Sequence, residues 1–215
     1  MLQVYLVRHG ETQWNAERRI QGHSDSPLTE KGEQQAWQVA ERAKALGITH
    51  IIASDLGRTR RTAEIIAELC GCDITLDSRL RELDMGVLEQ RNLETLTEEE
   101  EGWRRQLVNG TAGGRIPGGE SMQELADRMH AALATTLELP QGSRPMIVSH
   151  GMALGCLVSI ILGLPAYAER RLRLRNCSIS RIDYQDSAWL ASGWVVETAG
   201  DVSHLDAPAL DELQR

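Results

Sequence analysis

Val4-Tyr5-Leu6-Val7-Arg8-His9-Gly10-Glu11-Thr12 is an apolar run that ends in a cation, an imidazole and a glycine. Consecutive apolar residues without polar alternation fit a strand covered on both faces, as in parallel sheets. Open α/β sheets bind ligands just beyond the carboxyl ends of their strands. His9 stands at that place. Arg8 cannot lose its proton, and its planar fork of donors suits phosphate oxygens. Gly10 allows a sharp turn and close backbone approach. A nucleophile beside a fixed positive charge points to attack on phosphorus.

The pattern recurs along the chain. Met146-Ile147-Val148-Ser149-His150-Gly151 is a second apolar run ending in His-Gly. Ile48 to Arg60 reads as a third strand that delivers Arg58 on the first turn of a helix. The expected strands are 2–7, 49–53 and 145–149, with later ones at 177–184 and 189–197. If the first three are parallel neighbours, His9, His150 and Arg58 share one sheet edge. Arg81-Glu82-Leu83 adds a carboxylate in a loop. Between the strands, Ala36, Val39, Ala40, Ala43 and Leu46 follow helical spacing, as do Ala63, Ile66, Ala67 and Cys70. Ser121 with Glu124 is a capping-box signature, and another helix is expected at 97–108. Strands alternating with helices imply βαβ units and a mainly parallel sheet in an α/β fold.

At 215 residues the chain fits a single domain, 1–215, with a core that needs neither disulfide nor metal. The segment 84–118 could act as a lid over a site, and residues 200–215 form a C-terminal tail. Net charge is −8, which argues against a general nucleic-acid surface and makes arginines at strand ends stand out. The longest apolar stretch, Met152 to Leu164, is too short to span a bilayer and reads as a core helix. With no export signal at the N-terminus, a cytoplasmic location is expected. Cys70, Cys72, Cys156 and Cys177 lack Cys-x-x-Cys spacing and are expected reduced and buried. Trp103, Trp189 and Trp194 mark either core filling or an interface, which leaves a homodimer open.

Leu6-Val7-Arg8-His9-Gly10-Glu11-Thr12 followed by Asn15 resembles the signature of the histidine phosphatase superfamily, branch 1, the group that contains cofactor-dependent phosphoglycerate mutases and many phosphatases. Pro27-Leu28-Thr29, Ser54-Asp55-Leu56 with Arg58-Thr59, Arg81-Glu82, Pro117-Gly118-Gly119-Glu120-Ser121 and Val148-Ser149-His150-Gly151 follow in the family's order. The resemblance implies a phosphoglycerate mutase-like three-layer α/β/α sandwich with a mainly parallel central sheet. It implies that His9 accepts the phosphoryl group, that Arg8, Arg58 and His150 hold it, and that Glu82 donates the proton. Asn15, Gln21, Gly22, Arg60 and Gly151 fall where the family contacts substrate, and Arg104-Arg105 resembles a pair that binds the substrate carboxylate in the mutases.

The chemistry expected is metal-independent phosphoryl transfer through a phosphohistidine, acting on a small phosphorylated metabolite, with no cofactor. Neutral His9 attacks phosphorus while Arg8, Arg58 and a protonated His150 stabilise the oxygens. Glu82 protonates the leaving alkoxide and then activates the acceptor. The residues favour a phosphomonoesterase over a glycolytic mutase interconverting 2- and 3-phosphoglycerate. The tail is acidic at Asp201, Asp206, Asp211 and Glu212, and Met85 stands where the mutases have an aromatic residue. A mutase would additionally need 2,3-bisphosphoglycerate as primer. Blander alternatives accompany each assignment. Glu82 could pair with Arg79 or Arg81, and Arg104 and Arg105 could pair with Glu98 to Glu101. Arg60 and Arg61 could solvate a helix face. A metal hydrolase using His9, His150, Glu82 and Asp84 is disfavoured by two arginines in the same pocket. A non-catalytic phospholigand-binding protein would need neither His9 nor Glu82.

Overall fold

The opening run forms β1 (Leu2–Arg8), and its residues alternate between two hydrophobic layers. Val4 and Leu6 enter one core cluster, Tyr5 and Val7 the other. A one-residue register slip would exchange these faces, so the pairing is fixed. β1 lies within a six-stranded sheet with β2 (His50–Ala53), β3 (Ile74–Leu76), β4 (Pro145–Ser149), β5 (Ile179–Gln185) and β6 (Gly193–Asp201). The strand order is β3-β2-β4-β1-β5-β6. The β3–β2, β2–β4 and β4–β1 pairings are parallel; β5 and β6 add antiparallel strands beyond β1. This is a computed structural model, and it describes residues 1–186, 189 and 192–206.

Helices cover both faces. α1 (Gln13–Ala16) is a single turn behind the first strand. α2 (Glu30–Leu46) and α3 (Gly57–Cys70) pack on each other and bury Ala36, Val39, Ala40, Ala43, Ala63, Ile65 and Ile66 in one layer. α4 (Glu98–Val108), α5 (Met122–Ala134) and α6 (Gly151–Ile161) lie in sequence between and after the parallel strands. The layer opposite α2 and α3 is built from α5 and α6 with Leu125, Met129, Leu133, Leu154 and Leu157. Each fully buried side chain of this size contributes about 1.5–3 kcal/mol relative to exposure. Thr29 caps α2, and Ser121 caps α5 with Glu124 in the reciprocal capping box that the sequence indicates.

The parallel register decides where the site lies. Arg8 stands opposite Ser149, and Ala53 opposite Val148. β1, β4 and β2 therefore end at one level, and His9, His150 and Ser54 follow directly.

Several expectations are corrected. The strand expected at 177–184 starts at Ile179, because Asn176 and Cys177 turn the chain, with φ +57° at Cys177. The strand expected at 189–197 begins at Gly193; residues 190 and 191 lie outside the described residues. The three-residue β3 is too short to carry a periodic signal and is not among the strands expected from sequence. In the segment 84–118, Met85, Leu88, Leu107 and Ile116 are buried in the core, so this segment is anchored as well as lining the cleft. Cys156 and Cys177 are buried, whereas Cys70 and Cys72 are only half-buried. Trp103 and Trp194 pack on the core, while Trp189 is exposed. In the tail, Leu205 is buried in the α2/α3 layer and Asp206 accepts from Gln38; Asp211 and Glu212 lie outside the described residues. No described helix is long and apolar enough to cross a membrane.

Candidate active site

The ends of β1 and β4 bring the two imidazoles together. The rings of His9 and His150 lie edge to face, with centroids 5.3 Å apart. Both histidines are buried. His9 Nδ1 lies 2.7 Å from the carbonyl oxygen of its neighbour Gly10. A carbonyl can only accept, so Nδ1 carries the proton and Nε2 keeps its lone pair. Burial, then the charges of Arg58 and Arg8, hold the His9 pKa well below its ordinary value, against the opposing Gly10 bond. His9 is therefore a neutral imidazole with one fixed tautomer.

The backbone around it is tightly held. The His9 amide donates to Ser149 O, and the Gly10 amide donates to the Thr62 hydroxyl. A Cβ on Gly10 would sit 2.4 Å from the Gly32 carbonyl oxygen, so only glycine fits. Asn176, which sequence reasoning missed, donates from Nδ2 to His9 O at 2.9 Å and to Asn15 Oδ1 at 3.2 Å. That second bond, with the Thr12 amide on the same oxygen, leaves the Asn15 Nδ2 donors turned to the cleft they help line.

Arg58 is buried, and nearly every donor it has is assigned. Nη1 reaches Ser24 O and Asp25 Oδ1, both at 2.9 Å; Nη2 reaches Gly22 O at 2.8 Å; Nε donates to His150 Nδ1 at 3.2 Å. One Nη2 hydrogen remains for a ligand. Gly22 supplies its carbonyl from a left-handed conformation, φ +55°, that favours glycine. Arg8 is held by Nη1 to Leu174 O at 2.8 Å, and its buried Nε has no partner. Gly151 packs against that Nε: a Cβ there would stand 3.3 Å away. An unpaired charged donor aimed into a cleft is a place for an anion.

His150 departs from the protonated form expected. Its Nδ1 accepts from Arg58 Nε, and its Nε2 lies 2.9 Å from the Ser54 hydroxyl. Burial, then Arg58 and His9, push its pKa well below the ordinary value. His150 is a neutral donor-acceptor link between Arg58 and Ser54, with the proton on Nε2.

Glu82 pairs with neither Arg79 nor Arg81. Those arginines are engaged by Asp77 and Asp55. Instead the Glu82 carboxylate accepts from the amides of Leu83 and Ala153, both at 2.9 Å, and of Met152 at 3.1 Å. Met152 and Ala153 open α6, so the acid sits at the positive end of that helix. Arg128, also missed from sequence, fixes the loop: its Nη1 donates to the carbonyls of Arg79 (2.7 Å) and Arg81 (2.6 Å), and its Nη2 to that of Glu82 (2.7 Å). Glu120 in turn grips Arg128.

Arg8, His9, Arg58 and Glu82 line one cavity of about 590 Å³ together with Asn15, Gln21, Gly22, Arg104 and Gly151, while His150 lies buried behind that wall. Gln21 Oε1 is buried there without a partner. Besides His150, two predicted ligand contacts are not in the wall. Arg60 is two residues beyond Arg58, about 200° around the helix, and pairs with Glu64 on the outer face of α3. Arg105 is exposed beside Glu101, while Arg104, one position earlier, lines the cavity and makes a two-pronged ion pair with Glu101. Among the described residues no three His, Cys, Asp or Glu side chains converge as a metal-holding group.

A family profile described as the histidine phosphatase superfamily (branch 1) matches residues 4–197. The chain belongs to that family. It is 86% identical over 215 residues, the whole of both chains, to a protein of Salmonella paratyphi B named "Probable phosphoglycerate mutase GpmB". The solved structure of Bacillus stearothermophilus YhfR shares 30% identity and superposes with a TM-score of 0.87, covering 96% of this chain and 100% of that one. A mycobacterial glucosyl-3-phosphoglycerate phosphatase, solved with VO3, shares 25% identity with a TM-score of 0.80, covering 93% and 99%. The protein is thus a phosphoryl-transfer enzyme of the histidine phosphatase superfamily, with that family's α/β fold.

Proposed function

We propose that the protein is a metal-independent phosphomonoesterase that works through a phosphohistidine on His9. The observation that carries this reading is the His9 tautomer: Nδ1 is tied to Gly10 O, which leaves Nε2 as the free nucleophile in an arginine-lined cavity. Arg8 Nε, the spare Arg58 Nη2 hydrogen and the Asn15 amide hold the phosphoryl oxygens and neutralise their charge. Glu82 Oε2 accepts a single amide and keeps a position for a proton, which it takes from solvent as the phosphoryl dianion binds. His9 Nε2 attacks phosphorus, the P–O ester bond breaks, and Glu82 gives that proton to the departing alkoxide. Water then attacks the phosphorus of the phosphohistidine. Glu82 takes the proton from that water, the P–N bond breaks, and phosphate leaves with His9 neutral again.

His150 contributes by donating from Nε2 to Ser54 while accepting from Arg58, which holds the guanidinium at the phosphoryl position. Hydrolysis rather than mutase turnover is supported by the described part of the tail: Leu205 and Asp206 dock on the α2/α3 layer, away from the cavity wall. The substrate is a small phosphorylated metabolite, and a cytoplasmic location suits such a substrate. The test is an assay on 3-phosphoglycerate that measures free phosphate and 2-phosphoglycerate side by side, with and without 2,3-bisphosphoglycerate. Phosphate release in the absence of the bisphosphate is expected. Isomer formation far exceeding phosphate release would establish the mutase instead, in line with the name of the Salmonella relative.

A further inference from the structure

The cavity wall holds more positive charge than a phosphate monoester needs. Seven arginines line it, Arg8, Arg19, Arg58, Arg104, Arg170, Arg171 and Arg173, against one carboxylate, Glu82. Four of the seven are already matched by acids: Arg19 by Glu17, Arg58 by Asp25, Arg104 by Glu101 and Arg171 by Glu169. Arg8 serves the phosphoryl position. Arg170 and Arg173 remain, and no acidic side chain among the described residues forms an ion pair with either.

Both sit on a braced segment. The Arg170 amide donates to Val108 O at the end of α4, the helix that carries Arg104. Gly110 packs so closely on the same segment that a Cβ there would meet Glu169 N and Tyr167 O at 2.7 Å. Between the arginines, Leu172 packs on the core, and Leu174, just after them, is buried in it. Arg170 and Arg173 are exposed at the rim of the cavity, whose wall they share with Glu82, Arg8 and Arg104.

We propose that Arg170 and Arg173 are specificity-determining residues that hold a second anionic group of the substrate, a carboxylate or a second phosphate, while Arg8 and Arg58 hold the phosphoryl group being transferred. This rests on the hydrolase reading above. Unpaired guanidiniums on the rim of a cavity that takes a phosphoryl group offer positive charge to a further anion on the same substrate, and paired anion recognition is what the planar fork does best.

The test compares kcat/KM for three esters: glycerol 1-phosphate, 3-phosphoglycerate and propane-1,3-diol bisphosphate. The readout is the preference for each doubly charged ester over glycerol 1-phosphate, in the wild type, Arg170→Gln, Arg173→Gln, the double variant and Arg170→Lys. Each glutamine variant is expected to lower that preference on the order of tenfold, through KM, and the lysine variant to keep part of it. Loss confined to 3-phosphoglycerate assigns the subsite to a carboxylate; loss confined to the bisphosphate assigns it to a phosphate. An unchanged preference in the double variant, or a wild type without preference, overturns the subsite and leaves the hydrolase standing. A wild type inert on all three esters overturns the hydrolase reading as well.

Discussion

Replacing His9 by Asn tests the electrostatic state of the site through stability, without any substrate. Asn keeps an amide donor near the position of Nδ1 but cannot take up a proton. In the folded wild type, burial and the two arginines hold His9 neutral. The unfolded chain has an ordinary histidine that protonates near pH 6.5. The sign follows from linkage: the unfolded state binds the proton that the folded state refuses, so His9 costs stability as pH falls below about 6.5. Between about pH 7.5 and about pH 5.5 one such group removes about 1.4 kcal/mol, and toward lower pH about 1.4 kcal/mol per unit until the depressed folded pKa is reached. His150 adds a second, similar slope, because it too is buried neutral. Carboxylates elsewhere titrate in both proteins and cancel in the difference. Urea unfolding of the wild type and His9→Asn across this range, at matched m-values, gives that difference. The variant should gain about 1.4 kcal/mol on the wild type over the two pH units. A difference independent of pH would mean that His9 is free to ionise in the fold, and the argument for a neutral nucleophile would be wrong.

Glu82→Gln should slow turnover by roughly 10²–10⁴-fold with alkyl phosphates and much less with an activated aryl phosphate, because only a poor leaving group needs the proton; equal losses on both would remove Glu82 from that role. Arg104→Gln should raise KM for 3-phosphoglycerate roughly threefold to fivefold, since Arg104 lines the cavity but is already held by Glu101. Arg105→Gln should leave KM within about twofold, since that side chain is exposed and does not line the cavity. Steady-state kinetics with the two variants side by side checks both, and reversed effects would contradict the placement of these arginines.

Much of the site could be read from residue order because strand ends are simple to place. An apolar run followed by His-Gly fixes its own carboxyl edge, and two such runs with a third apolar run parallel to them must bring their ends to one level. Glu82 was legible as a carboxylate after a short apolar segment, but its partners were not: amides at the start of α6 belong to a distant helix and leave no pattern near residue 82. Asn176 and Arg128 were invisible for the same reason. One sits on the turn before β5, the other on the face of α5, and each acts on carbonyl oxygens, which every residue possesses. Arg60 misled because spacing by two along a helix reverses the face. Arg170 and Arg173 were passed over because their segment has no regular period. The charge state of His150 could not be read at all, since it depends on which of its two nitrogens meets Arg58.

The phosphohistidine chemistry depends on a covalent bond to one atom, Nε2 of His9. Rapid quenching of the wild type during turnover of a labelled phosphomonoester should trap about one acid-labile, base-stable phosphoryl group per chain on His9, and His9→Asn should trap none. Label that survives acid, or that persists in His9→Asn, would contradict it.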